Sequence, residues 1–347
     1  MAYRRWAVKA DRILFFLAVV VVSFGLEQAL AETLVLNVGF RQMTIQDPFS
    51  KEPFPVSIWY PTAMKAKIAM VGPYEMEIAP GAPVAEGKFG LIVISHGSGG
   101  GSLNHRDLAI YLAAHGYVVA APEHPKDNYR DMTGVGSYEV WAGRPRQISA
   151  TIDALLGGQV FGLNINQDRI GVVGHSAGGY TALAVIGGKA DMTNLLRHCK
   201  DHPDDAEFCS YGGARTRQAG SQIPTPTAIP DMPDRRIKAA VAMAPVGALF
   251  DELSFERVTI PVRIYCADRD TLLPCRYHAE KIYKSLSREA EYVVLPNAGH
   301  FSFIAPFPES IKGQVGEAAQ DPDGFNRAAM HAKLNPDILD FFDRKLK

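Results

Sequence analysis

The sequence predicts an α/β fold in which helices cover both faces of a mostly parallel sheet. Short apolar runs of strand length recur along the chain, and segments with helical spacing separate most of them. Apolar strands that alternate with helices are typical of a parallel sheet buried on both faces. The first two strands follow each other without a helix, so we expect an antiparallel edge.

The predicted elements can be placed one by one. A turn with Asp47 and two prolines separates the opening strands, and a glycine ends the first helix. The strands are predicted at 34–45, 54–60, 89–95, 117–121, 169–173, 237–244, 262–267 and 292–295, and the helices at 107–115, 147–156, 276–286 and 336–346, with one more directly after residue 176.

The segment 189–236 interrupts this alternation. It is polar, contains one pair of cysteines and ends in a proline-rich stretch. We interpret it as a small cap inserted over the carboxyl edge of the sheet.

The composition is that of an ordinary globular protein. The chain has 347 residues, of which 47% are hydrophobic and 21% charged, and its net charge is −1. No basic stripe with interleaved aromatic residues occurs, which argues against a nucleic-acid partner.

The first 31 residues have the pattern of a secretory signal. Basic residues that include Arg4 and Arg5 precede the apolar run 13–26, and Ala29 and Ala31 form an A-x-A cleavage site. The run is shorter than the roughly 20 residues that a membrane span needs. The sequence therefore predicts cleavage after Ala31, export to the periplasm or medium, and a mature domain at 32–347, with a retained anchor as the alternative.

The four cysteines fall into two close pairs, Cys199 with Cys209 and Cys266 with Cys275. In an exported protein, an even number of cysteines in local pairs favours two short-range disulfides. Other pairings and four buried thiols remain open alternatives.

Residues 174–178 read Gly-His-Ser-Ala-Gly and fit the G-x-S-x-G pattern of a nucleophile elbow. A predicted strand precedes the pattern and a helix of small residues follows it, which is the context that the elbow requires. Ser176 is therefore the predicted nucleophile. The alternative is an ordinary glycine-rich turn between a strand and a helix.

A serine hydroxyl needs a base and an acid to become a nucleophile. Asp268 and Asp270 both follow the strand at 262–267, and we favour Asp270 because it lies four residues before Pro274; Asp268 is better interpreted as a loop carboxylate or a helix cap. His300 follows the last strand in a loop introduced by Ala-Gly and is the predicted base.

Two backbone amides are needed to hold a developing oxyanion. Ala177 supplies the one after the nucleophile, and Ser98, in the glycine-rich loop 96–100 after the third apolar strand, is predicted to supply the other. The loop lacks the Lys-Ser/Thr that a phosphate-binding loop would have. His96 and His124 are expected to order loops, and His175, inside the elbow, is expected to point away from the reacting groups.

Four motifs together carry a family resemblance: residues 56–62, 94–100, 174–179 and 299–303. The chain resembles the α/β-hydrolases known as bacterial predicted dienelactone hydrolases, which are similar to platelet-activating-factor acetylhydrolase and, more distantly, to cutinase-like polyester hydrolases. The resemblance spans nearly all of residues 34–346. It implies the α/β-hydrolase fold and the same five site residues.

These observations predict an exported serine esterase that acts on small or short-acyl esters without a metal or an organic cofactor. The expected partner is a small or lipid-like ester, and no stable membrane span is expected after signal cleavage. A lipase-like or polyester hydrolase is the alternative within enzymes, and amide cleavage suits the same triad. The alternative from another class is a catalytically idle binding protein on a hydrolase scaffold.

Overall fold

A ten-stranded sheet organises this computed structural model, which describes residues 35–210, 227–286 and 289–347. The strands of the described chain are β1 Asn37–Gln46, β2 Pro53–Thr62, β3 Lys67–Val71, β4 Tyr74–Pro80, β5 Phe89–Ser95, β6 Tyr117–Pro122, β7 Ile165–His175, β8 Ile237–Met243, β9 Val262–Ala267 and β10 Glu291–Leu295. Their order across the sheet is β10-β9-β8-β7-β5-β6-β2-β1-β4-β3.

The sheet is mostly parallel, as the sequence predicts. Strands β5 to β10 pair in parallel, whereas β2 is antiparallel to both β6 and β1. The carboxyl ends of β5, β7, β9 and β10 therefore meet at one edge, where the predicted site residues follow each strand.

The hairpin formed by β3 and β4 is absent from the sequence prediction. Its outer strand β3 is short, and Ile68 and Met70 on this strand are exposed, so β3 contains no buried apolar run. It joins the sheet through the parallel pairing of β4 with β1, in which Gly39 lies opposite Ala79 and Phe40 opposite Pro80.

Helices cover both faces of the sheet, which confirms the predicted layers. They are α1 Arg106–Ala114, α2 Tyr138–Gly157, α3 Ala177–Val185, α4 Met192–Asp201, α5 Ala279–Ser285, α6 Glu309–Val315 and α7 Arg327–Lys345. One apolar core lies between the sheet and α2, α3 and α5, and a second lies between the opposite face and α1 and α7.

Two helices begin well before the positions that the sequence predicts. Pro145 and Pro336 were expected to lie before or at the starts of α2 and α7, but both lie inside them. Capping explains the earlier starts: Ser137 accepts a hydrogen bond from the Val140 amide at 3.3 Å, and Asn326 caps α7 in the same way. In contrast, α5 begins at Ala279, later than predicted.

The insertion begins with α4 and a short helical turn at Ala206–Phe208. The middle of the predicted cap, 211–226, lies outside the described residues, as does the predicted signal peptide. Leu36–Lys347 form one compact unit. Within the described chain, none of the helices combines the length and apolar character needed to cross a bilayer.

Candidate active site

Ser176 lies at the sharp turn between β7 and α3. Its φ of 58° and ψ of −118° fall in a region that residues with a side chain rarely adopt. A Cβ on Gly174 would come within 1.8 Å of the Gly178 carbonyl oxygen, and one on Gly178 within 1.9 Å of the Ser95 oxygen. Both glycines are therefore required by backbone contact, and the turn presents the hydroxyl at the carboxyl edge of the sheet.

A continuous chain of hydrogen bonds joins the three residues that the sequence singled out. The His300 Nε2 atom lies 3.0 Å from the Ser176 hydroxyl, and its Nδ1 atom lies 2.7 Å from Asp270 Oδ2. The side chains of His300 and Asp270 are 4% and 1% exposed. The structure thus places a serine, an imidazole and a carboxylate in the order needed to activate a hydroxyl.

The Asp270 carboxylate is held at both oxygens. Oδ2 accepts from His300, and Oδ1 accepts from the Leu273 amide at 2.7 Å. Asp268, the rejected alternative, is exposed, and its amide donates to the Leu295 carbonyl. Of the two aspartates, Asp270 is the one that contacts His300.

A second histidine, His175, holds the backbone of His300. Nε2 of the buried His175 donates to the His300 carbonyl at 2.9 Å, and the two rings lie 4.9 Å apart. Burial lowers the pKa of His175 well below its ordinary value, and the positive charge that His300 can carry lowers it further. His175 therefore stays neutral next to the His300 imidazole, where it bonds the His300 backbone and does not touch the Ser176 hydroxyl.

The loop after β5 lies against Ser176. A Cβ on Gly97 would be 3.1 Å from the Ser176 Cβ atom, so this loop and the elbow are in van der Waals contact. Within the described ranges, the backbone amides of Ser98 and Ala177 pair with no acceptor. Both are thus available to a carbonyl oxygen bound at Ser176.

Two further histidines order the same loop, as expected. His96 Nδ1 donates to the Gly97 carbonyl at 2.7 Å, and its Nε2 accepts from the His124 amide at 3.0 Å. His124 lies between Ser95 and Gln147, at 2.8 and 2.6 Å. Burial lowers the pKa of both imidazoles well below the usual range, so both remain neutral.

Sequence reasoning missed an ion pair behind this loop, between Arg144 on α2 and Asp127. Their side chains are each 1% exposed, and the two groups are 2.7 Å apart. The one trace of it in the sequence is an arginine directly before Pro145, outside the predicted helices.

Both predicted disulfides are present. The Cα atoms are 5.6 Å apart for Cys199–Cys209 and 5.8 Å apart for Cys266–Cys275, and the described chain contains no free cysteine. The second bridge spans the loop that carries Asp270.

A further polar cluster joins the insertion to this loop. His198 Nε2 and His278 Nε2 donate to Asp205 Oδ2 at 2.7 and 2.9 Å, and all three side chains are buried. Burial alone would raise the pKa of the Asp205 carboxyl, but the two histidines lower it to about 2. His198, Asp205 and Cys209 are close enough to share a metal ion, but the Cys209 sulfur is already bonded in a disulfide.

The sheet order, the strained serine and the hydrogen-bonded triad define an α/β-hydrolase fold. A solved ferulic acid esterase from Streptomyces cinnamoneus superimposes with a TM-score of 0.61 at 20% identity, covering 91% of each chain. The model of the Chlorophyllase family matches residues 62–198.

Two curated relatives are each 27% identical to this chain. One is Cutinase est1 of Thermobifida alba, matched over 63% of this chain and 56% of its own length. The other is the bis(hydroxyethyl) terephthalate hydrolase of Streptomyces coelicolor, matched over 63% of this chain and 52% of its own. The chain thus spans about half the length of the curated relatives that it matches.

Proposed function

We propose that this protein is a serine hydrolase of carboxylic esters that works through an acyl-enzyme on Ser176. The observation that carries the proposal is the unbroken hydrogen-bond chain from the Ser176 hydroxyl through His300 to Asp270. The names of the two curated relatives, a cutinase and a terephthalate ester hydrolase, support the same reaction class.

In the acylation step, Ser176 Oγ attacks the ester carbonyl while His300 Nε2 accepts the hydroxyl proton. Asp270 holds the imidazole so that Nε2 faces the serine, and its charge stabilises the imidazolium that forms. The carbonyl oxygen becomes an oxyanion that accepts from the amides of Ser98 and Ala177. His300 then protonates the departing alcohol.

Deacylation reverses the roles with water in place of the alcohol. His300 removes a proton from the water, which attacks the acyl carbon, and the same two amides hold the second oxyanion. The acid leaves as His300 returns the proton to Ser176. The cycle balances without any other reactant.

The substrate class under this proposal is a small or short-acyl ester. A polyester or long-chain ester is the second candidate, favoured by the names of the two curated relatives. A series of p-nitrophenyl esters from acetate to palmitate, with release of soluble acid from a polyester film, separates the two. Hydrolysis that weakens as the acyl chain lengthens, with no soluble acid released from the film, supports the short-acyl ester as substrate.

The narrower placement near predicted dienelactone hydrolases and platelet-activating-factor acetylhydrolase is part of the same proposal. Three of the four motifs behind it lie around Ser176: the loop after β5, the elbow itself and the turn at His300. Export is likewise proposed, from the N-terminal pattern and the two disulfides. The proposed mature domain is 32–347, with the insertion at 189–236.

The test is p-nitrophenyl acetate hydrolysis by Ser176→Ala. We expect turnover to fall by about 10⁴-fold or more, because the triad acts as a unit. Ser285→Ala is the matched control, since the hydroxyl of that serine donates to the Lys281 carbonyl of its own helix. Near wild-type hydrolysis by Ser176→Ala would overturn the proposal.

A further inference from the structure

The buried pair of Arg144 and Asp127 lies directly behind the loop that carries Ser98. Asp127 Oδ1 accepts from the Gly99 amide at 3.2 Å, and Oδ2 accepts from the Ser98 hydroxyl at 3.3 Å. The carboxylate thus engages the Ser98 side chain and the next amide, while the Ser98 amide itself remains available.

Arg144 contacts the same loop from the other side and also reaches α3. Its Nη2 donates to the His96 carbonyl, and its Nε donates to the Thr181 hydroxyl at 3.1 Å. That hydroxyl in turn donates to the Ala177 carbonyl at 2.8 Å. One guanidinium therefore links the two segments whose amides are proposed to hold the oxyanion.

Stability alone does not account for this pair. Burial raises the pKa of the Asp127 carboxyl and lowers the pKa of the Arg144 guanidinium, so desolvation favours the neutral form of each. Buried ion pairs often contribute less to stability than apolar side chains of similar size would. The planar guanidinium with its fixed donors is, in contrast, well suited to hold two segments at a set distance.

We infer that Arg144 and Asp127 are positioning residues that set the distance between the Ser98 and Ala177 amides and so shape the oxyanion hole. The inference rests on the proposed function. Neither residue contacts the reacting atoms; both act through the backbone of the loop and of α3.

The experiment compares Arg144→Lys with the wild type in p-nitrophenyl acetate hydrolysis and in inhibition by a trifluoromethyl ketone, which forms a tetrahedral adduct. Lysine keeps the charge but loses the planar fork. We expect kcat to fall about 10²-fold, as when one oxyanion donor is lost. KM should stay nearly constant, and the affinity for the inhibitor should fall by the same factor as kcat.

Arg263→Lys is the matched control. Arg263 is also a buried arginine, paired with Glu291 and Asp337, but it lies near the amino end of β9. It should lower the melting temperature to a similar extent and leave kcat and inhibitor affinity unchanged.

Thr181→Val keeps the test decisive if Arg144→Lys does not fold. This substitution replaces the hydroxyl that lies between Arg144 and the Ala177 carbonyl with a methyl group. We expect about a tenfold loss in kcat with KM unchanged, in line with the loss of a hydrogen bond to a charged group.

Two outcomes separate the inference from the proposed function. If wild-type activity depends on Ser176 but the folded variants at 144 and 181 keep wild-type kcat, or lose no more than Arg263→Lys, the inference is overturned and the function stands. If Ser176→Ala keeps activity, the proposed function itself fails.

Discussion

Single residues at the site are held by more contacts than their chemistry requires. Asp270 accepts from a backbone amide as well as from His300, and the His300 backbone accepts from His175. Side chains fixed in this way meet the transition state without reorganising, which is how a preorganised site lowers a barrier. Small changes at these positions should therefore affect rate more than stability.

Asp270 and Asp268 provide a direct comparison between neighbours. We expect Asp270→Asn to lower kcat by roughly 10³–10⁴-fold, because an amide in place of the carboxylate favours the wrong imidazole tautomer. Asp268→Asn should leave kcat nearly unchanged, since the Asp268 side chain is exposed. Steady-state kinetics of both variants is the measurement, and equal losses would refute the assignment.

The triad and the two amides proposed to hold the oxyanion could be predicted because each follows a strand within a short, local pattern. The elbow is contiguous, and Asp270 and His300 come directly after β9 and β10. Arg144 could not be predicted in the same way. Its partners Asp127, His96 and Thr181 come from three distant segments that only the tertiary fold brings together.

At the scale of elements, the loop after β9 is held by a disulfide and by a hydrogen bond to the insertion. The Cys266–Cys275 bridge closes it, and His278 at its far end bonds Asp205 of the insertion. The loop is thereby held between the sheet and the insertion while it presents Asp270 to His300.

The disulfide prediction follows from this arrangement. Replacing both Cys266 and Cys275 by serine should cost on the order of 2–3 kcal/mol of stability, as expected for opening a loop of about ten residues. Turnover should also fall, because the Asp270 loop is freed. The double serine variant of Cys199 and Cys209 is the control, with a similar loss of melting temperature and a smaller loss of turnover. The reverse order of turnover losses would contradict this account.

Long elements that bury an apolar face were predictable, whereas the short β3–β4 hairpin was missed. Its strand β3 exposes Ile68 and Met70, and only a few residues of β4, among them Met76 and Ile78, reach the core. The early starts of α2 and α7 depend on caps at Ser137 and Asn326, which precede prolines that normally mark a helix start.

Across the whole molecule, buried neutral histidines couple the fold to pH. Burial lowers the pKa of five of them: to about 4 for His105, well below the usual range for His96, His124 and His175, and below its ordinary value for His278. An unfolded chain takes up protons at these positions below about pH 6.5, whereas the folded chain does not. Their stabilising contribution is therefore present above that pH and is lost as the pH falls. His331 has the opposite effect on stability. Asp107 raises its pKa, so protonation of His331 stabilises the fold as the pH falls.

We predict that the free energy of unfolding falls between pH 7.5 and pH 5.5, by roughly 1 kcal/mol per buried histidine. Urea unfolding at a series of pH values measures it. His105→Gln removes one titrating group and should flatten the slope, whatever its effect on absolute stability. A stability that is constant or rises toward pH 5.5 would contradict the prediction.

The central claim is that Ser176 is the nucleophile of an ester hydrolase. Treatment with a fluorophosphonate, followed by peptide mass spectrometry, tests it most directly, because such reagents phosphonylate an activated serine through the same attack. We expect one adduct per chain, on Ser176, with much slower labelling in His300→Ala. No adduct, or an adduct on another residue, would contradict the account and would favour an idle binding protein on a hydrolase scaffold.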